Sequence, residues 1–181
     1  MCGIAGLIHR GKSSGVGGEM TAMLQALKHR GPDSTGFAVY GMPTEGDYVM
    51  RIKVAEQEDM KKGRGIGEVI DQRIAEVDRR LAARDAVVKA SEKVTPYALR
   101  YVLSHTGDTA ELATYLEEIE GTEILSLGNG LELIKDLGDA TVVSDQYRLG
   151  GFQGTHGIGH TRMATESDVD IRSAHPYWAF P

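Results

Sequence analysis

The chain has 181 residues, a formal net charge of −6 and 41% hydrophobic residues, enough chain and enough apolar content for one domain with a buried core. The acidic balance, with no basic cluster to offset it, argues against a nucleic-acid surface, and no stretch approaches the roughly 20 apolar residues that span a bilayer. A single cysteine excludes an internal disulfide and fits a reducing compartment, and the short apolar run IAGLI with no basic residue before it is not a signal peptide, so a cytoplasmic protein is expected.

In chain order, CGIAGLI reads as a short buried strand and GKSSGVGG as a loop. EMTAMLQALKHR sets Met20, Met23, Leu24 and Leu27 at helical spacing, and GPD stops that helix. STGFAVYG and DYVMRIKVA read as two further strands. From about Ala55 to Arg84 the chain is dense in charge. Within GIGEVIDQRIAEVDRRLAARDAVV the stripe Ile66, Val69, Ile70, Ile74, Val77 and Leu81 predicts a long helix. TPYALRYVLSH alternates Tyr97, Leu99, Tyr101 and Leu103 like a strand, and DTAELATYLEEIEG predicts a helix capped by Asp108. TEILSLGNGLELIKDLGDA reads as strand and turn, DATVVSDQYRL as a short helix, and GTHGIGHTRMATES as a strand ending in a polar turn. DIRSAHPYWAFP closes the chain with aromatic residues and two prolines.

The chemistry concentrates at the first residues. Cys2 follows Met1 and is small enough for methionine removal, which would leave it with a free α-amine near pKa 8 beside a thiol near pKa 8.5. One residue would then supply both nucleophile and general base. KHRGPDSTG contributes a tight turn that Arg30 and Asp33 are suited to order. GIGHTRMATES places His160, Arg162 and Thr165 at a strand end, where the planar fork of Arg162 suits a carboxylate. His175 in AHPYW, a lone histidine before a proline, reads as structural. Asn129-Gly130 reads as a turn. The histidines show no ligand spacing, so no metal site is expected, and GVGG opens no nucleotide-binding unit.

M-C-G-I-x-G, HRGPD-S-x-G, G-H-T-R-x-A-T and A-H-P, in that order over residues 1–41 and 154–178, resemble the class II glutamine amidotransferases. The resemblance implies an α+β N-terminal-nucleophile hydrolase fold, with two antiparallel sheets sandwiched between helical layers. Here it would be a single domain over 1–181, carrying a long mixed insertion over about 55–150. It implies that Cys2 attacks the side-chain amide of glutamine and releases ammonia through a thioester. It further implies that Arg162 holds the glutamine α-carboxylate with Thr165 beside it, and that Arg30 and Asp33 support the nucleophile loop. Within the family, the motifs and long middle segment look most like the amidotransferase subunit of the glutamate synthase and N-methylglutamate synthase group. That implies synthase subunits as partners, with flavin or iron–sulfur cofactors on those partners and none on this chain. Two departures stand out. Glu166 occupies a place where many members have His, and it is expected to point away from the carboxylate clamp. The family's oxyanion Asn-Gly pair and amine-binding Asp lie beyond A-H-P, so the site is expected to be completed outside these residues. The alternatives are a non-catalytic amidotransferase-like module of a synthase complex, and a redox-sensing thiol at Cys2.

Overall fold

A computed structural model describes residues 2–11, 14–56, 59–63, 65–164 and 171–179. It is α+β, with two four-stranded antiparallel sheets, each in its own compact unit. One unit joins residues 1–43 to 130–178, and the other is built on Thr44–Asn129.

The first unit carries β1 (Gly3–Ile8), β2 (Ser34–Tyr40), β7 (Leu131–Leu137) and β8 (His156–Arg162), in the order β1-β8-β2-β7. Helices α1 (Val16–Ala26) and α4 (Ala140–Gln146) pack against this sheet. Helix α1 begins three residues before the expected start, inside the segment read as a loop. The reason is space rather than propensity. A Cβ on Gly17 would stand 1.9 Å from the Leu149 carbonyl oxygen, so the first turn of α1 lies on the backbone of a short 3-10 turn at Leu149–Gly151. Gly159 in β8 makes the matching trough, where a Cβ would meet Leu24 Cδ1 at 2.4 Å, and Met20 and Leu24 are fully buried.

β2 is a central strand with six of its seven residues buried, which explains its unbroken apolar reading. Its second face is covered by the aromatic segment near the chain end. A Cβ on Gly36 would come within 2.0 Å of the His175 carbonyl oxygen, and the buried Lys135 donates to the Arg172 carbonyl at 3.4 Å. β1 is buried on one face only. Gly3 and Ala5 point inward, whereas Ile4 and Ile8 are 73% and 80% exposed, so the expectation of a buried strand holds for alternate residues alone.

The second unit runs β3 (Tyr48–Lys53), α2 (Ile66–Ala83), β4 (Val87–Lys93), β5 (Ala98–Ser104), α3 (Thr109–Glu117) and β6 (Glu123–Gly128). Its sheet order is β4-β5-β3-β6 with every neighbour antiparallel, the split βαβ arrangement of ferredoxin-like units. The predicted stripe on α2 buries Ile70, Val77 and Leu81. Tyr101 reaches from β5 to donate to Asp78 of α2 at 3.0 Å, and burial raises its phenol well above the usual range. Asp108 caps α3 as expected, accepting from the amides of Ala110 at 2.7 Å and Glu111 at 3.1 Å.

Two elements differ from the sequence reading here. The long helix ends at Ala83, and Val87–Lys93 forms a strand of its own. All seven residues of β4 are exposed, so it carries no alternation to announce it. The TEILSLGNGLELIKDLGDA segment holds two strands, split between the units at Asn129-Gly130. The unit boundaries fall at 43/44 and 129/130, ahead of both bounds of the segment expected as an insertion over about 55–150. Among the described residues, no helix is long and apolar enough to cross a membrane.

Candidate active site

Cys2 sits at the head of β1 and is exposed. It lines a cavity of about 260 Å³ together with Gly3, Ile4, Leu27 and Arg30. Leu27 follows α1, and Arg30 ends the 3-10 turn Lys28–Arg30, so the helix end and its stop signal are carried to the nucleophile. Gly3 is required at this corner. A Cβ there would stand 2.8 Å from Thr161 Oγ1 and 3.1 Å from Leu27 Cβ.

The HRGPD turn is fastened to the end of β8. Gly31 has an extended φ of −172°, so its glycine serves space rather than an unusual backbone angle. An added Cβ would meet the carbonyl carbons of Arg162 and Thr161 at 2.5 and 2.6 Å. Asp33 makes three ties. Its amide donates to the Arg162 carbonyl at 3.1 Å, its carbonyl accepts from the Gly138 amide at 3.0 Å, and its carboxylate accepts from the Ala164 amide at 2.7 Å. Asp33 therefore acts on the chain leaving β8, a role that its position in a helix-stop turn did not signal.

Arg162 ends β8 and is 8% exposed. The β1–β8 pairing ends at Gly3↔Thr161, with Cys2 next to Gly3 just before β1 and Arg162 next to Thr161 at the end of β8. Ser34 of β2 faces Arg162 from the other side. The structure thus brings Cys2, Arg30, Asp33 and Arg162 to one end of one sheet. Thr165 and Glu166 lie outside the described residues.

His160 stands two residues before Arg162, opposite Ile4 on β1 and Gly36 on β2. Its ring lies 4.7 Å from that of His175, which in turn meets Tyr177 edge-on at 4.7 Å. Lys135 Nζ lies 4.9 Å from the centre of the Tyr177 ring. Desolvation, then His175, then Arg162 push the His160 pKa below its usual value, so this imidazole is held toward its neutral form. In the sequence His175 reads as an isolated structural residue. Only the fold shows that the AHP segment and the HTR strand share a histidine pair. Asn129 keeps the turn role expected of it, its carbonyl accepting from the Thr44 amide at 3.0 Å. Among the described residues, no group of three metal-ligating side chains gathers at one place.

The arrangement offers an accessible thiol, a small open cavity for a compact substrate, and two arginines of different exposure. One lines the cavity and one is buried at the end of the neighbouring strand. This is the equipment for attack on a carbonyl of a molecule that carries an anionic end.

No family model matches the chain. Curated relatives do. The chain is 36% identical over 183 aligned residues to a protein of Methanothermobacter thermautotrophicus named "Putative glutamine amidotransferase", covering 99% of this chain and 57% of the relative. It is 33% identical over 180 residues to the "Glutamine amidotransferase-like protein GlxB" of Rhizobium meliloti, covering 98% of this chain and 54% of the relative. The chain therefore spans just over half the length of these relatives.

Proposed function

Taking as premise that both relatives' names support a glutamine amidotransferase family, we propose that this chain is the glutaminase component of a class II enzyme with Cys2 as nucleophile. The fold we propose for it is that of the N-terminal-nucleophile hydrolases, with Thr44–Asn129 as an inserted unit. The observation that carries the reading is the placement of Cys2 at the exposed head of β1, sharing a cavity with Arg30, beside the Gly3↔Thr161 pair that Arg162 follows on β8.

Removal of Met1 frees the Cys2 amine. That amine takes the thiol proton, and the sulfur attacks the side-chain carbonyl carbon of glutamine, forming a C–S bond and an oxyanion. Collapse breaks the C–N bond. The proton held on the amine passes to the departing nitrogen, which leaves as ammonia. Water, losing a proton to the amine, then attacks the thioester, and breaking of the C–S bond releases glutamate and restores the thiol. No electrons are exchanged, so these steps call for no cofactor on this chain. Arg162 binds the glutamine α-carboxylate through its fork, Thr165 assists it, and Arg30 closes the side of the cavity. Asp33 holds the strand end on which Arg162 sits. Ammonia passes to a synthase partner of the glutamate synthase type, in the cytoplasm.

The carboxylate assignment is tested by Arg162→Lys in the protein carrying a processed Cys2. Lysine keeps the charge and loses the bidentate geometry, so the glutamine KM is expected to rise about tenfold or more with a smaller change in kcat. An unchanged KM would remove Arg162 from the substrate site.

A further inference from the structure

The inserted unit contains a second cavity that the proposed chemistry at Cys2 does not use. It measures about 380 Å³, within the usual range for small-molecule sites. Its walls come from the end of α2 (Arg84, Asp85), the chain just after β5 (His105, Gly107) and the start of α3 (Asp108, Glu111). A neighbouring cavity of about 360 Å³ shares Arg84 and Glu111 and extends to Tyr115.

Elsewhere in this unit many of the charges are matched. Glu76 pairs with Arg79 and Arg80, Lys89 with Asp47, and Lys53 with Glu56 and Glu123. Around the cavity they are not. Among the described residues, Arg84, Asp85 and Glu111 have no ion-pair partner, and the buried Nδ1 of His105 has no hydrogen-bond partner. The guanidinium of Arg84 is positioned by stacking, its central carbon 4.7 Å from the Tyr115 ring centre, which leaves its hydrogen-bonding edge available. Asp85 is held at φ +55°, a left-handed conformation that side-chain-bearing residues adopt sparingly. Gly107 makes room for the imidazole, since a Cβ there would stand 2.7 Å from His105 Nε2.

The charge pattern selects among ligands. A phosphate-like anion gains little from the start of α3, because the Asp108 carboxylate already takes the Ala110 and Glu111 amides. A simple anion would also confront Asp85 and Glu111, and a simple cation would confront Arg84. A molecule carrying both charges a few ångströms apart satisfies both sides. We propose that this cavity binds a free α-amino acid, its carboxylate on Arg84 and its ammonium between Asp85 and Glu111, with His105 bonding to the side chain or carboxylate. The inserted unit would thereby sense an amino acid independently of Cys2.

The test is proton NMR of the His105 ring in the whole chain, titrated with each of the common L-amino acids at millimolar concentration, and with glutarate and butylamine as single-charge probes. At least one amino acid should shift the ring signals saturably, and neither single-charge probe should match it. Arg84→Lys and Glu111→Gln should each weaken that amino acid about tenfold while melting like the parent. Glu111 is exposed on α3, so its variant carries the test should Arg84→Lys fail to fold. Cys2→Ala should bind as the parent does, which separates this site from the proposed nucleophile. No shift with any amino acid, equal binding of glutarate, or parent-like binding by both variants would overturn the proposal.

Discussion

The two units are held together in different ways. In the unit containing Cys2, backbone rests on backbone. A Cβ on Gly17 would reach 1.9 Å from the Leu149 carbonyl oxygen, one on Gly31 2.5 Å from the Arg162 carbonyl carbon, and one on Gly36 2.0 Å from the His175 carbonyl oxygen. In Thr44–Asn129 the glycines at 46, 63, 65 and 67 have nothing within 4 Å of an added Cβ, and cohesion comes from buried side chains such as Ile70, Val77, Leu81, Tyr101 and Leu103. Close backbone packing admits one residue type at a position. Side-chain packing admits several of similar volume. The first unit can therefore be read as motifs, and the second mainly as a period.

That contrast is broken or sharpened most strongly by alanine at the close-approach glycines. Gly17→Ala or Gly31→Ala should cost roughly 2–4 kcal/mol in denaturant unfolding, because the obstructing atoms are backbone and cannot rotate away. A loss below about 0.5 kcal/mol at both would show that the backbone contact is not what excludes a side chain.

A smaller effect should follow pH. The folded-state pKa of His160 lies below the unfolded value, so the unfolded chain binds the proton more readily, and stability is complete above about pH 6.5 and declines as pH falls below it. His160→Gln should flatten that part of the stability profile. An unchanged profile in the variant would assign the acid sensitivity to another group.

The smallest expected effect has the opposite sign. Gly67→Ala, in the first turn of α2 with open space around it, should stabilise by about 0.5–1 kcal/mol through helix propensity. Two helical glycines, one in each unit, would thus respond in opposite directions to the same substitution. Destabilisation at Gly67 would erase the contrast.

How much was legible in the sequence follows the same division. Cys2, the HRGPD turn and the HTR strand could be picked out because their residue types are chemically unusual together, and the fold brings Cys2, Arg30, Asp33 and Arg162 to one end of one sheet. The long-range consequences were hidden. Nothing local announces that Asp33 fastens Ala164, or that His160 meets His175, since both depend on strands and loops distant in sequence. The start of α1 was concealed because Gly17 and Gly18 look like loop residues until Leu149–Gly151 is seen against them. In Thr44–Asn129 the helices were legible from their apolar spacing and the Asp108 cap. β4 was not, because an edge strand exposed on every residue has no burial pattern to write into its sequence.

The most direct test of the central claim is covalent labelling at the nucleophile. The protein would be treated with the glutamine analogue diazo-oxo-norleucine and mapped by peptide mass spectrometry, with intact mass recorded beforehand. The expected result is a chain beginning at Cys2, a single adduct on the Cys2 sulfur, protection by excess glutamine, and no adduct on Cys2→Ala. Retention of Met1 on protein that still reacts, or an adduct of equal yield on Cys2→Ala, would contradict Cys2 as the nucleophile.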